Sequence, residues 1–209
     1  MEYRRLGRTG LRVSAIGLGT EHLEQRPATM DEVLAVAVEA GLTYMDLLYI
    51  DPKGDDAAFW EAFGPYLRAR REGLVLAAHW GGGPRYDMEY CRRTFPEVLA
   101  QVGNGYAEIG LLTMVDDEDK WNTWAQESIG HLQRYQQEGR VGHIGLSSHV
   151  APVARRAAPK SLSPLKTKAG FRAALTINPY EARHCLPKAL AIIFCRLKKT
   201  SRSDSQRSL

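Results

Sequence analysis

Two side chains able to carry protons stand at the ends of apolar runs: Asp46 within Thr43-Tyr-Met-Asp-Leu-Leu48, and His79 directly after Gly73-Leu-Val-Leu-Ala-Ala78. Carboxylate and imidazole are the groups that general acid–base chemistry uses near neutral pH. Tyr49 adds a phenol, which donates and recovers a proton in that range only beside a positive charge. Hydroxyls close two further runs. Ala15-Ile-Gly-Leu-Gly-Thr20 ends in small residues, as expected of a strand tip that lets a ligand come close, and Val141-Gly-His-Ile-Gly-Leu-Ser147 is followed by Ser148 and His149. Each has a plainer reading. Asp46 could cap a helix or sit in a loop, His79 could bond backbone at a rim, and Tyr49 could be rim packing. Asp51, before Pro52, reads as a turn residue, Ser147 and Ser148 as small residues at a turn, and His149 as the start of a helix. Asp116-Asp-Glu-Asp119 reads as a helix-start charge cluster rather than a metal loop.

The elements that would position these groups alternate. Tyr3–Leu6 and Leu11–Ser14 flank Gly7-Arg-Thr-Gly10, whose residues tolerate positive φ, and so predict a β-hairpin. Five strands follow, separated by helices expected over Thr29–Gly41, Asp56–Arg71 (broken or kinked near Gly64-Pro65), Asp87–Val102 (interrupted near Pro96) and Lys120–Glu138. Strand–helix alternation at roughly 30 to 35 residues per unit points to a parallel sheet. The lack of a dinucleotide glycine fingerprint favours a (β/α) barrel over a Rossmann sheet. Ala173–Ile177 supplies a weak sixth strand. The fold class expected is therefore α/β: an incomplete (β/α)8 TIM-type barrel of about five to six parallel strands, preceded by an N-terminal β-hairpin.

Charge divides the chain. The 209 residues carry a formal net charge of +4, yet residues 1–150 hold 15 Lys/Arg against 22 Asp/Glu, and residues 151–209 hold 13 against 2. Residues 1–180 are expected to form the partial barrel, and 181–209 a basic, divergent and partly disordered tail. Three scattered cysteines give little support to a disulfide framework or a metal cluster. No apolar run approaches the ~20 residues of a membrane span, and nothing resembles a signal peptide, so a cytoplasmic location without membrane partners is expected.

Three blocks carry a family resemblance: the opening Glu2–Thr20, Ala40-Gly-Leu-Thr-Tyr-Met-Asp46, and Glu138-Gly-Arg-Val-Gly-His-Ile-Gly-Leu-Ser-Ser148, with an echo at Asn178-Pro-Tyr180. Together they resemble the aldo-keto reductases over roughly residues 2–150. Leu76-Ala-Ala-His-Trp-Gly81 resembles a branch with histidine at the usual lysine position and, in full-length members, a ferredoxin-like region; the cysteine cluster of that region is missing, so no iron–sulfur cluster is expected. The resemblance implies hydride transfer between NADP or NAD and a small-molecule carbonyl or alcohol. The proton would come from a tyrosine tuned by a lysine, an aspartate and a histidine.

Carried over residue by residue, Asp46 is the family's aspartate, at the reaction centre and beside the cofactor. The tyrosine position falls on Asp51, with Tyr49 near but out of register; the lysine position is His79 and the histidine position Thr113. Ser147 matches the serine that bonds the nicotinamide amide, and Ser148 is a shortened substitute for asparagine. The catalytic candidates are thus Asp46, His79 and Tyr49, and the cofactor-binding candidates Thr20, Asp46, Ser147 and Ser148. Phosphate-holding loops have no visible counterpart after Tyr180, so weak cofactor binding is expected. Two other readings stand beside the reductase. One is a catalytically inactive, truncated relative that self-associates through unclosed barrel edges. The other is a binding module using its basic C-terminus, although aromatics there are few and nucleic acid is disfavoured.

Overall fold

The computed structural model describes residues 1–7, 9–20, 27–48, 50–81, 87–148, 175–177 and 191–194. A two-stranded antiparallel hairpin, β1 (Tyr3–Arg5) with β2 (Arg12–Ser14), opens the chain. Its turn closes with Leu6 N–H donating to Leu11 O and the Thr9 hydroxyl to Leu6 O, and it needs the positive φ of Gly7 (52°) and Gly10 (84°). Then come β3 (Ile16–Gly19), α1 (Pro27–Glu39), β4 (Tyr44–Leu47), α2 (Ala57–Ala69), β5 (Val75–Trp80), α3 (Met88–Gln101) and β6 (Ala107–Leu112). The next helical stretch has three parts: α4 (Glu118–Lys120), a π-helical turn (Trp121–Ala125) and α5 (Gln126–Gln137). The strands β7 (Val141–Ser148), β8 (Leu175–Ile177) and β9 (Ala191–Phe194) complete the described elements.

All seven strands after the hairpin lie parallel in one sheet, in the order β8-β7-β6-β5-β4-β3-β9. β3 to β7 form the expected five-stranded wall. β8 is the expected sixth strand. β9, within an apolar stretch to which the sequence pattern assigned no element, adds a seventh against β3. Among the described residues β8 and β9 do not pair with each other, so the wall is an incomplete barrel.

The break expected at Pro65 and the interruption expected at Pro96 are corrected. Pro65 and Pro96 lie inside α2 and α3, each a single helix. A proline removes one N–H bond, but buried Phe63 and Leu67 hold both sides of Pro65, and Phe95, Val98 and Leu99 hold both sides of Pro96.

The sheet's period of two sorts side chains to opposite faces. One face joins the helices in the larger core, with Met45, Leu47, Leu76, Ala78 and Trp80 packed near Phe59, Phe63, Phe95 and Leu132. The other face holds Tyr44, Ala77, Ile109 and Leu111 with Leu6 and Val13 of the hairpin segment. The hairpin therefore plugs the inner face. Ser14 fastens it: its N–H donates to the Thr43 hydroxyl at 2.8 Å, and its own hydroxyl accepts from Thr43 N–H at 3.0 Å.

Candidate active site

Asp46 shares the inner face with Tyr44 two residues before it, and His79 shares it with Ala77. Register aligns Asp46 with Ala77, so His79 stands one pleat further toward the C-terminal end of the wall. There the imidazole Nε2 lies 2.5 Å from Asp46 Oδ1, with side-chain exposures of 6% and 8%. A pair so far out of water is held by its own hydrogen bonds.

The ring's other nitrogen, Nδ1, lies 2.9 Å from the Thr113 hydroxyl, which itself donates to the Gly81 carbonyl at 2.7 Å. Thr113 follows β6 directly and is fully buried. Gly81 directly follows β5 at φ 76°, a left-handed conformation that suits glycine and turns the chain there. In the sequence Thr113 stands out only as a departure from the family pattern at its histidine position. Its position at a strand end was the available signal.

Thr20 sits on the far side of Asp46. Its hydroxyl donates to the Asp46 carbonyl at 3.0 Å and accepts from Leu48 N–H at 3.1 Å, clamping the strand that carries the carboxylate. The Ser147 hydroxyl accepts Met114 N–H at 2.9 Å, and Ser147 O accepts Val115 N–H. Met114 holds φ 51°, the one non-glycine residue in the left-handed region among the described residues, and its carbonyl accepts from Lys120 Nζ at 2.6 Å. Burial pushes the Lys120 ammonium below its ordinary range, against the pull of Asp116 and Asp117. Ser148 donates to Asp116 Oδ1 at 3.3 Å.

The structure therefore brings Thr20, Asp46 and His79 into one hydrogen-bonded group with Thr113, and sets Ser147 and Ser148 at the end of β7 beside the loop that follows Thr113. Tyr49 and His149 lie outside the described residues. Asp51 is buried and paired with the Arg93 guanidinium at 3.3 Å, and its carbonyl accepts Gly54 and Asp56 N–H, which is a turn role. Asp117 caps α4 by accepting Lys120 N–H at 2.6 Å, the helix-start role read for the acidic cluster. Cys91 is no nucleophile: burial pushes its thiol up to about 12.

A wall of parallel strands joined by helices, with an acid–base pair buried at its C-terminal end, is a (β/α)-barrel scaffold with its polar groups where barrel sites lie. The aldo/keto reductase family model matches residues 15–188, and the chain belongs to that family. In sequence it is 30% identical over 169 residues to L-glyceraldehyde 3-phosphate reductase of Escherichia coli K12, covering 71% of this chain and 46% of that one. It is 28% identical over 156 residues to L-galactose dehydrogenase of Arabidopsis thaliana, covering 70% and 48%. The chain spans about half the length of these relatives.

Among solved structures, a protein of Pseudomonas aeruginosa described as a candidate aldo-keto reductase superimposes with a TM-score of 0.64 at 26% identity, covering 86% of this chain and 68% of that one. An aldo-keto reductase of Bacillus halodurans in its holo form gives 0.64 at 19%, covering 88% and 68%, a likeness of fold. Among the described residues no helix is long and apolar enough to cross a membrane.

Proposed function

We propose that this chain works as an aldo-keto-reductase-type oxidoreductase, moving a hydride between NAD(P)H and a small carbonyl or alcohol substrate. The observation that carries the reading is the 2.5 Å contact between His79 Nε2 and Asp46 Oδ1, buried at the C-terminal end of the wall. A reduced nicotinamide, when bound, supplies the hydride to the carbonyl carbon. The Asp46–His79 pair is the store from which the carbonyl oxygen takes its proton, directly or through Tyr49. Thr20 holds the Asp46 backbone, so the pair keeps its place while the proton moves.

The residues present fit the cofactor at one point: Ser147 is half-buried, and among the described residues its hydroxyl accepts from Met114 N–H and donates to no acceptor. That hydrogen suits a carboxamide oxygen. Ser148 and Asp46 complete the proposed cofactor edge, while Thr20, fully buried with its hydroxyl committed to Asp46 and Leu48, supports that edge from behind. Residues 1–180 as barrel and 181–209 as a basic segment, together with a cytoplasmic location, belong to the same proposal. The family match runs past residue 180 to residue 188, and β9 ties part of the basic segment to the sheet.

Titrating the chain with NADPH while following quenching of its four tryptophans tests the reading, together with an assay against a panel of aldehydes. Saturable quenching with turnover supports it. Absence of both at millimolar NADPH removes it. A second reading is an inactive relative that self-associates; its motive is that among the described residues β8 and β9 adjoin without a hydrogen-bonded ladder between them. Light scattering separates the two, since a monomer that turns substrate over excludes the second.

A further inference from the structure

We infer that Thr113 is a positioning residue that fixes a proton on His79 Nδ1 and thereby keeps the Asp46–His79 pair loaded with two protons. A threonine hydroxyl has one hydrogen. The Gly81 carbonyl can only accept, so the 2.7 Å contact places that hydrogen between Thr113 Oγ1 and Gly81 O. What Thr113 then offers Nδ1 at 2.9 Å is a lone pair, and Nδ1 must bring the hydrogen. A second hydrogen must occupy the 2.5 Å gap between Nε2 and Asp46 Oδ1, because two facing lone pairs would repel at that separation.

Whether that second proton rests on nitrogen or oxygen, the count is the same. The pair holds two protons and is neutral overall. Had the hydroxyl turned toward the ring instead, Nδ1 would be bare, Nε2 would keep its hydrogen, and the pair would hold one proton and a negative charge. The Gly81 carbonyl therefore sets the pair's proton count at one remove, through Thr113. The catalytic consequence rests on the reductase reading: with its second proton in place the pair has one to give when a carbonyl oxygen gains charge, and the bond to Nδ1 keeps the ring aimed as it gives it.

The test is ¹⁵N NMR of the full-length chain labelled at the imidazole nitrogens, the His79 signals being assigned by their loss in His79→Gln. Wild type and Thr113→Ser are expected to show a directly bonded hydrogen on Nδ1. Thr113→Val replaces the accepting oxygen with a methyl and is expected to lose that hydrogen, leaving Nε2–H against the Asp46 carboxylate. A bare Nδ1 in the wild-type spectrum overturns the inference, and so does an Nδ1–H that survives in Thr113→Val. The wild-type spectrum decides alone should the valine chain fail to fold. The measurement needs no cofactor, so it can fail while NADPH still binds, or succeed where NADPH does not. Should turnover be found, Thr113→Val lowers kcat by about tenfold or more with KM little changed, and Thr113→Ser restores it; a valine chain with wild-type kcat overturns the catalytic consequence.

Discussion

Neighbouring residues of β5 live in different media. Trp80 faces the helices, its ring 5.3 Å from Phe95 and stacked at 5.3 Å on His131, with its indole N–H donated to the Ser128 hydroxyl at 3.0 Å. His79 faces inward and meets a carboxylate and a hydroxyl. The outer face of the sheet is a broad aromatic and aliphatic layer; the inner face is a small apolar cluster plugged by the hairpin and ending in polar groups. The division of labour follows from area. Burial scales with apolar surface, so the outer layer supplies stability. The inner face, where Ala77 and Gly145 leave little to bury, can hold side chains whose geometry serves chemistry instead.

The largest effect on that contrast should come from Trp80→Ala, which removes a fully buried ring from the outer layer. A loss of about 3–5 kcal/mol is expected in urea unfolding, enough to unfold a chain of ordinary stability. A loss under about 1 kcal/mol would mean that the outer layer is not what holds the fold. Asp46→Asn should do the opposite. The shape is kept, so unfolding should move by about 1 kcal/mol or less, while the proposed reductase turnover, where it is measured, falls by about 10²–10⁴-fold. Equal losses of stability and activity would erase the distinction between the faces.

Val13→Ala is expected to lie between these. Val13 is fully buried in the inner cluster. Removing two carbon groups at about 0.8 kcal/mol each, with a small cavity, lowers stability by roughly 2 kcal/mol. Hydrogen exchange should then speed up in the hairpin and at Thr43 before it does in α3. Uniform acceleration across the chain would show that the hairpin is not a separate plug.

Much of this arrangement is legible along the chain. Gly7 and Gly10 announce the hairpin turn, and the runs that become β3 to β7 stand out because both faces of a parallel sheet are covered. Asp46 and His79 are legible by type and by place at strand ends. Thr113 is not, because its meaning depends on the Gly81 carbonyl, a group no residue code displays, and on the β5–β6 register that brings the two together. Pro65 and Pro96 mislead for a related reason: local rules break a helix there, and tertiary packing on either side keeps it whole. β9 escapes because its partner, β3, lies some 170 residues earlier in the chain, and pairing over such a distance leaves no local trace.

The smallest expected effect concerns His131 of α5, which packs on the outer side of the same strand. Burial against Trp80 and the nearby Arg134 and Arg92 guanidiniums push His131 below the ordinary imidazole range near 6.5, with Glu127 opposing. Arg134 donates to His131 Nδ1, which requires the lone pair of a neutral ring. A depressed folded-state value means that the unfolded chain binds the proton more readily. Stability from this group is therefore complete above about 6.5 and is lost as pH falls through the folded value. Urea midpoints at pH 7.5 and 5.5 should drop less in His131→Gln than in wild type, the difference between the two slopes isolating this ring from the carboxylates that titrate alongside. Because the ring lies in the outer layer, the same substitution should leave the Nδ1 signal of His79 where it was; movement of that signal would show that the two faces of β5 are coupled.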